Sequence, residues 1–177
     1  MIYQLFRSSR SDSEHESSRR MKTEFLVQLD GASSSGDERI LIVGATNRPQ
    51  DLDEAARRRL VKRLYVPLPE KTARASLINN LLATQNVKHE LDDSDYEKIA
   101  EQTEGYSGAD MHHLCREAAM GPIRSQFSQI EDIPAEEVRA INYQDFEVAM
   151  SQVKASVSDK DLQMYLDWNK NFGSTAK

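Results

Sequence analysis

The chain has 177 residues, 38% of them hydrophobic, with 23 basic and 29 acidic side chains and a formal net charge of −6. That is enough apolar content for one core rather than wholesale disorder, and an acidic balance gives no global footprint for nucleic acid. The single Cys115 excludes an internal disulfide, and with no secretory signal and no apolar run of about 18 residues a reducing, soluble, intracellular setting is expected.

Ser8 to Ser18, rich in Ser, Arg, Asp and Glu, reads as a solvated loop entering a helix from about Glu16 to Leu29, with Met21, Phe25, Leu26 and Leu29 as its apolar stripe. Asp30 to Asp37 is a Gly/Ser-rich turn. Ile40 to Val43 then reads as a buried-type strand that passes through Gly44-Ala45 and delivers Thr46-Asn47 at its carboxyl end, where open α/β sheets hold ligands. In that position Asn47 can orient a water or a phosphate, although an isolated Asn there would read as an ordinary polar turn residue. The basic run Arg57, Arg58, Arg59, Lys62, Arg63 precedes a second strand, Leu64-Tyr65-Val66. Arginines at the edge of a nucleotide domain can stabilise a transferring phosphoryl group held by a neighbouring subunit. The plainer reading of such a run is a solvated basic patch, offset here by the acid-rich stretches Glu90 to Glu104 and Glu131 to Glu137.

Pro67 and Pro69 mark a boundary, after which the pattern is helical. A helix is predicted from Pro69-Glu70 to about Ala83, with Ala73, Leu77, Ile78, Leu81 and Leu82 facing inward. Ser94-x-x-Glu97, Ser107-x-x-Asp110, Asn142-x-x-Asp145 and Ser158-x-x-Asp161 have capping-box spacing and predict further helix starts, hence a helical bundle over roughly 69–170. Ala118-Ala-Met-Gly-Pro122 predicts a close approach and a kink late in its helix. Gly108 and Ala109 sit at a helix start whose free amides suit the edge of a nucleotide, while a bare capping box also accounts for Ser107 and Asp110. Glu14, His15 and Glu16 are consecutive and cannot all converge on one ion, so no metal site is predicted. His112 and His113, adjacent on a helix, predict one core-edge and one exposed residue. Cys115 reads as a small buried hydrophobe. Leu162, Tyr165, Leu166 and Trp168 give a final helix its apolar side, ending at Asn171-Phe-Gly173.

The order of these elements, Gly44-Ala-Thr-Asn-Arg-Pro49, Leu52-Asp-Glu-Ala55, the paired arginines and Ser107-Gly-Ala-Asp110, resembles the second half of an AAA ATPase module of the meiotic clade, the katanin, spastin and fidgetin group. Glu14-His-Glu-Ser-Ser-Arg-Arg20, Ala56 to Tyr65, Leu114 to Arg124 and Leu162 to Gly173 carry it towards the fidgetin-like branch, and the resemblance runs from about residue 7 to the end. It implies an α/β remnant over 1–66, an incomplete AAA large subdomain of two or so strands plus helices, then an all-α helical lid subdomain with a carboxyl-terminal helix over 67–177, mostly α overall. It further implies that Asn47 senses the γ-phosphate, that Arg58 and Arg59 are arginine fingers acting in trans, and that Gly108 and Ala109 let adenine approach. Glu14, His15 and Glu16 look like the second pore loop, and the terminal helix looks like one that supports a ring.

The complete family module uses ATP and Mg²⁺, but no Gly-x-x-x-x-Gly-Lys-Ser/Thr loop occurs in these residues, and Met1 to Phe6 stand where the resembled family has an Asp-Glu pair. The chain is therefore expected to be a carboxyl-terminal fragment without ATP turnover of its own. Its parent class remodels protein assemblies as a hexamer, with tubulin or a recombinase filament as possible substrates, in the nucleus or cytoplasm. The alternative is a non-catalytic module that joins or regulates rings of an intact AAA ATPase. Direct nucleic-acid binding through Arg57 to Arg63 is least favoured, because the run lacks interleaved aromatics, and no membrane span is expected.

Overall fold

The computed structural model describes residues 20–21, 23–28, 41–125 and 138–174. The candidate pore loop Glu14, His15 and Glu16, the turn at 30–37 and the acidic stretch 131–137 lie outside them. The described residues form two compact units, those up to Tyr65 together with those from Gln163 onward, and Val66–Leu162.

The second unit is helical. It contains α2 (Lys71–Thr84), α3 (Asp93–Gln102), α4 (Gly108–Ser125) and α5 (Tyr143–Gln152), with α1 (Glu54–Arg59) belonging to the first unit and α6 (Asp159–Phe172) closing the chain. The core is built on α4, where Met111, Leu114, Cys115 and Ala118 fall at i, i+3, i+4 and i+7 and are all buried. Ile78 and Leu82 of α2, Ile99 of α3 and Phe146 and Ala149 of α5 pack against them, with Ile141 just ahead of α5. Each large aliphatic or aromatic side chain buried in this way contributes about 1.5–3 kcal/mol. Ile141 also makes a parallel bridge to His89, with Ile141 N–H donating to Lys88 O at 2.9 Å and Glu90 N–H to Ile141 O at 2.8 Å.

Reciprocal caps start two of these helices where the spacing places them. Asp145 N–H donates to Asn142 Oδ1 at 3.2 Å and Asn142 N–H to Asp145 Oδ2 at 3.0 Å, and the Ser107–Asp110 pair does the same for α4. Ser158 caps α6 through Asp161 N–H at 3.2 Å. The predicted start at Ser94 is corrected. The cap is Asp92, whose Oδ1 accepts from Asp95 N–H at 2.9 Å, so that Asp93 and Asp95 both lie in the first turn, where the helix dipole favours carboxylates.

Three further expectations are corrected. Ala73 is exposed and its neighbour Arg74 is buried instead. That guanidinium is satisfied by main-chain acceptors, Ala100 O at 3.1 and 2.8 Å and Pro69 O at 2.7 Å, so the charge replaces an apolar contact at that turn. The strands expected at Ile40–Val43 and Leu64–Val66 do not form in the described residues: Leu41–Val43 and Leu64–Val66 carry no ladder, and Leu41 and Val66 are 86% and 84% exposed. A strand satisfies its amides only through a neighbour, and these two segments do not pair with each other. Leu166 is exposed rather than part of the packed side of α6. The mostly α architecture itself is as the sequence implies.

The close approach expected near Pro122 is present. α4 runs through Pro122 to Ser125, and a Cβ on Gly121 would stand 2.6 Å from the Asp145 carboxyl carbon of α5. That carboxylate is already held by a forked pair with Arg139, at 2.7 Å to each oxygen. Gly121→Ala is expected to destabilise the second unit by about 1–3 kcal/mol, read as a lower urea midpoint, through overpacking against this pair. Gly108→Ala, whose Cβ would meet nothing within 4 Å, should stay within about 1 kcal/mol of the parent.

Candidate functional site

The first unit carries the candidate finger segment. Thr46 Oγ1 accepts from Arg48 N–H at 3.0 Å, a local turn, and Pro49–Asp51 form a single 3₁₀ turn. Asp53 then caps α1, accepting from Ala56 N–H at 2.8 Å, and Ala56, fully buried, fixes the inner side of that short helix. Successive residues on a helix step by about 100°, so the three arginines of the last turn point in three directions.

Arg57 turns back onto its own unit. Its Nη1 donates to Leu52 O at 2.6 Å, and its guanidinium lies 4.8 Å from the centre of the Phe172 ring. Arg59 donates to Ala55 O at 3.2 Å. Arg63 donates to the carbonyls of Arg57 and Leu60 at 2.7 and 2.8 Å. Arg58 is different. Its side chain is 76% exposed and pairs with Glu54, one turn earlier on the same helix, at 2.5 Å. An exposed pair of this kind contributes roughly 0.5 kcal/mol or less and exchanges readily for a stronger anionic partner.

Asn47 is exposed, in a bend ahead of the 3₁₀ turn, and its main-chain oxygen accepts from the Tyr165 hydroxyl at 2.8 Å. Asn47, Arg58 and Arg59 therefore share the first unit, whereas Gly108 and Ala109 lie in the second.

Gly108 and Ala109 are exposed on the first turn of α4. The capping pair beside them is tightly engaged: Asp110 Oδ2 accepts from Ser107 N–H and from Ser107 Oγ–H, both at 2.8 Å, and from Ser156 N–H at 3.2 Å. The third donor comes from 46 residues away and has no local signal in the sequence. The cap uses Ser107 and Asp110, and a Cβ on Gly108 would meet nothing within 4 Å. Burial alone would raise the Asp110 carboxyl, but hydrogen bonds from Ser107 and Ser156 outweigh it and hold it below the ordinary carboxylate value. For Asp145, burial is likewise overcome, by Arg139 and the Asn142 amide.

His112 and His113 are both exposed, which corrects the expectation of one at the core edge. The buried stripe Met111, Leu114, Cys115, Ala118 is narrow enough to exclude both rings. Cys115 is buried, and burial pushes its thiol up to about 12. No helix of the described residues is long and apolar enough to cross a membrane.

The family profile described as ATPase family associated with various cellular activities (AAA) matches residues 2–68, and that of the AAA+ lid domain matches residues 93–137. Fidgetin-like protein 1 of Xenopus tropicalis is 59% identical over 167 residues, 94% of this chain. The chain belongs to the AAA family of ATPases. It spans 25% of the length of that relative. A crystal structure of the FIGL-1 AAA domain in complex with ADP superposes with a TM-score of 0.86 at 49% identity, covering 98% of this chain and 56% of that one. A structure described as the basis for katanin self-assembly gives a TM-score of 0.70 at 35% identity, covering 88% and 54%. The AAA match contains Asn47, Arg58 and Arg59, and the lid match contains Gly108 and Ala109.

The two capped carboxylates set an acid limit on the second unit of this AAA chain. Because both are held below the ordinary value in the folded state, their contribution is complete at neutral pH and is lost as pH falls through the folded values. The melting temperature is expected to drop on acidification below about pH 4, and Asp110→Asn or Asp145→Asn should lower it at neutral pH while flattening the acid limb. A thermal scan whose acid limb is unchanged in both variants would contradict this account.

Proposed function

We propose that this chain is the finger-bearing part of an ATP-hydrolysing AAA motor of the fidgetin-like class, which remodels protein assemblies as a ring. In this reading Arg58, with Arg59 beside it, completes the ATP site of a neighbouring subunit, and Asn47 contacts the γ-phosphate or the attacking water of its own subunit. The observation that carries it is the outward Arg58. Of the arginines around α1, Arg57 and Arg63 are directed onto the chain's own carbonyls and ring, Arg59 reaches a carbonyl of its own helix, and Arg58 faces solvent at the end of a capped helix. An arginine stays protonated at any working pH and stabilises charge spread over phosphoryl oxygens.

Self-assembly of the katanin relative and ADP in the FIGL-1 domain support a nucleotide placed between subunits. The residues present do not make a whole ATP–Mg²⁺ site. The phosphate-loop sequence does not occur among these 177 residues, so phosphates and metal would be held by groups outside them. What the chain supplies is an open, small helix start at Gly108-Ala109 for adenine and the arginines for a neighbour. ATP turnover by this chain alone is therefore not expected. The substrate class in this reading is the one that the sequence resemblance implies, protein polymers such as microtubules or recombinase filaments. The same outward Arg58 favours the second reading, a chain that joins rings of an intact AAA ATPase and alters their turnover without hydrolysing ATP itself.

The purified chain should hydrolyse ATP at background rate. Mixed with an intact fidgetin-like ATPase whose own paired arginines are replaced by alanine, it should raise turnover by about 10²-fold or more, and Arg58→Ala should abolish the effect. Equal stimulation by the parent chain and by Arg58→Ala would sink the finger assignment.

A further inference from the structure

We propose that Phe172–Ser174, at the end of α6, is a strap that aims the finger, and that Arg63 and Ser174 are positioning residues for Arg58. This deepens the reading above and rests on it. α1 has six residues, fewer than two turns, and a helix of that length does not hold its shape unaided. Its amino end is capped by Asp53. Its carboxyl end, the turn that carries Arg58, ends in main-chain acceptors that need donors.

Arg63 supplies them. Besides the carbonyls of Arg57 and Leu60, its guanidinium reaches Phe172 O through Nε at 2.5 Å, so one planar group joins the end of α1 to the end of α6. The two backbones are pinned together at the same place. Ser174 N–H donates to Arg63 O at 2.8 Å, Arg63 N–H donates to Ser174 Oγ at 3.0 Å, and the Ser174 hydroxyl donates to Val61 O at 3.2 Å. Arg57 lies over the Phe172 ring, which in turn rests 5.5 Å from the ring of Trp168. Gly173 lets the chain leave α6 this tightly, since a Cβ there would stand 2.8 Å from Asn169 Cγ and collide with the Asn169 oxygens.

Arg58 makes none of these contacts. It is mounted on the turn that they hold. A catalytic group displaced by about 1 Å can lose on the order of 10² in rate, so a strap that fixes the turn governs the finger without touching the nucleotide. Residues 109 and more positions downstream of Arg63 thereby control the geometry of a trans-acting group.

The test uses the full chain mixed with the intact fidgetin-like ATPase whose paired arginines are replaced by alanine, measuring maximal turnover and the chain concentration giving half of it. Ser174→Ala and Arg63→Lys, which remove one hydroxyl and the fork, should lower maximal turnover about tenfold or more while leaving the half-saturating concentration within about twofold, and Ser174→Thr should restore the rate. Circular dichroism matched to the parent qualifies each variant as folded, and Ser174→Ala, the loss of one oxygen, is the variant on which the conclusion rests. If the parent chain gives no stimulation, or Arg58→Ala stimulates equally, the function proposed above fails. If the parent stimulates, Arg58→Ala does not, and Ser174→Ala and Arg63→Lys keep full maximal turnover, the strap is overturned while the finger stands. A change confined to the half-saturating concentration also overturns it, because the contacts would then serve assembly.

Discussion

The guanidinium of Arg63, shared among the carbonyls of Arg57, Leu60 and Phe172, is the constraint on which the candidate site depends. A lysine in its place would offer a single compact charge, whereas the planar fork meets acceptors from two parts of the chain at once. It also puts a permanent cation beside the carboxyl end of a helix, where the dipole welcomes one. Four arginines within seven residues would repel each other if left in a common patch. Here each has separate partners: a ring and a loop carbonyl for Arg57, a helix carbonyl for Arg59, the carbonyls of Arg57, Leu60 and Phe172 for Arg63, and one exchangeable carboxylate for Arg58. That distribution separates this run from an undifferentiated basic face.

The second unit handles charge in a related manner. Its apolar core is modest, with Phe146, Ile78, Leu82, Ile99, Met111 and Leu114 among its largest side chains. Charged groups close the helix ends around it. Asp110 gathers the start of α4 and the Ser156 amide, Asp145 joins the start of α5 to Arg139, and buried Arg74 closes on the Ala100 carbonyl of α3. Such groups are tolerated at low exposure because every one of them meets main-chain or oppositely charged partners. Gly121 belongs to the same design, as the absent side chain that admits the Asp145 carboxylate.

How much of this could be read in advance depended on range. Caps at Ser107, Asn142 and Ser158 are contacts over three residues, and the stripe Met111, Leu114, Cys115, Ala118 is a local period, so both were legible. Asp92 was missed in favour of Ser94 because both fit a cap and only packing decides the register. Arg74 and Ser156 were missed because their partners lie 26 and 46 residues away. The apolar runs at Leu41–Val43 and Leu64–Val66 had the composition of strands, but composition does not provide the neighbour that a strand requires. For the site the balance was reversed. Asn47 is an exposed residue that its surroundings would not single out, and its proposed role, like that of Arg58 and Arg59, came from the order of motifs, whereas the greater exposure of Arg58 than of Arg59 is seen only in the structure.

Cys115 makes the chain its own chemical clock. It is the one sulfhydryl in the sequence, it sits at the centre of α4 against the core, and its ionisation is pushed to about 12. Only the thiolate reacts with alkylating reagents. Modification must therefore wait for the second unit to open, and with no competing thiol the labelling rate tracks the population of the opened unit when reclosing is fast, and the opening rate when alkylation outruns it.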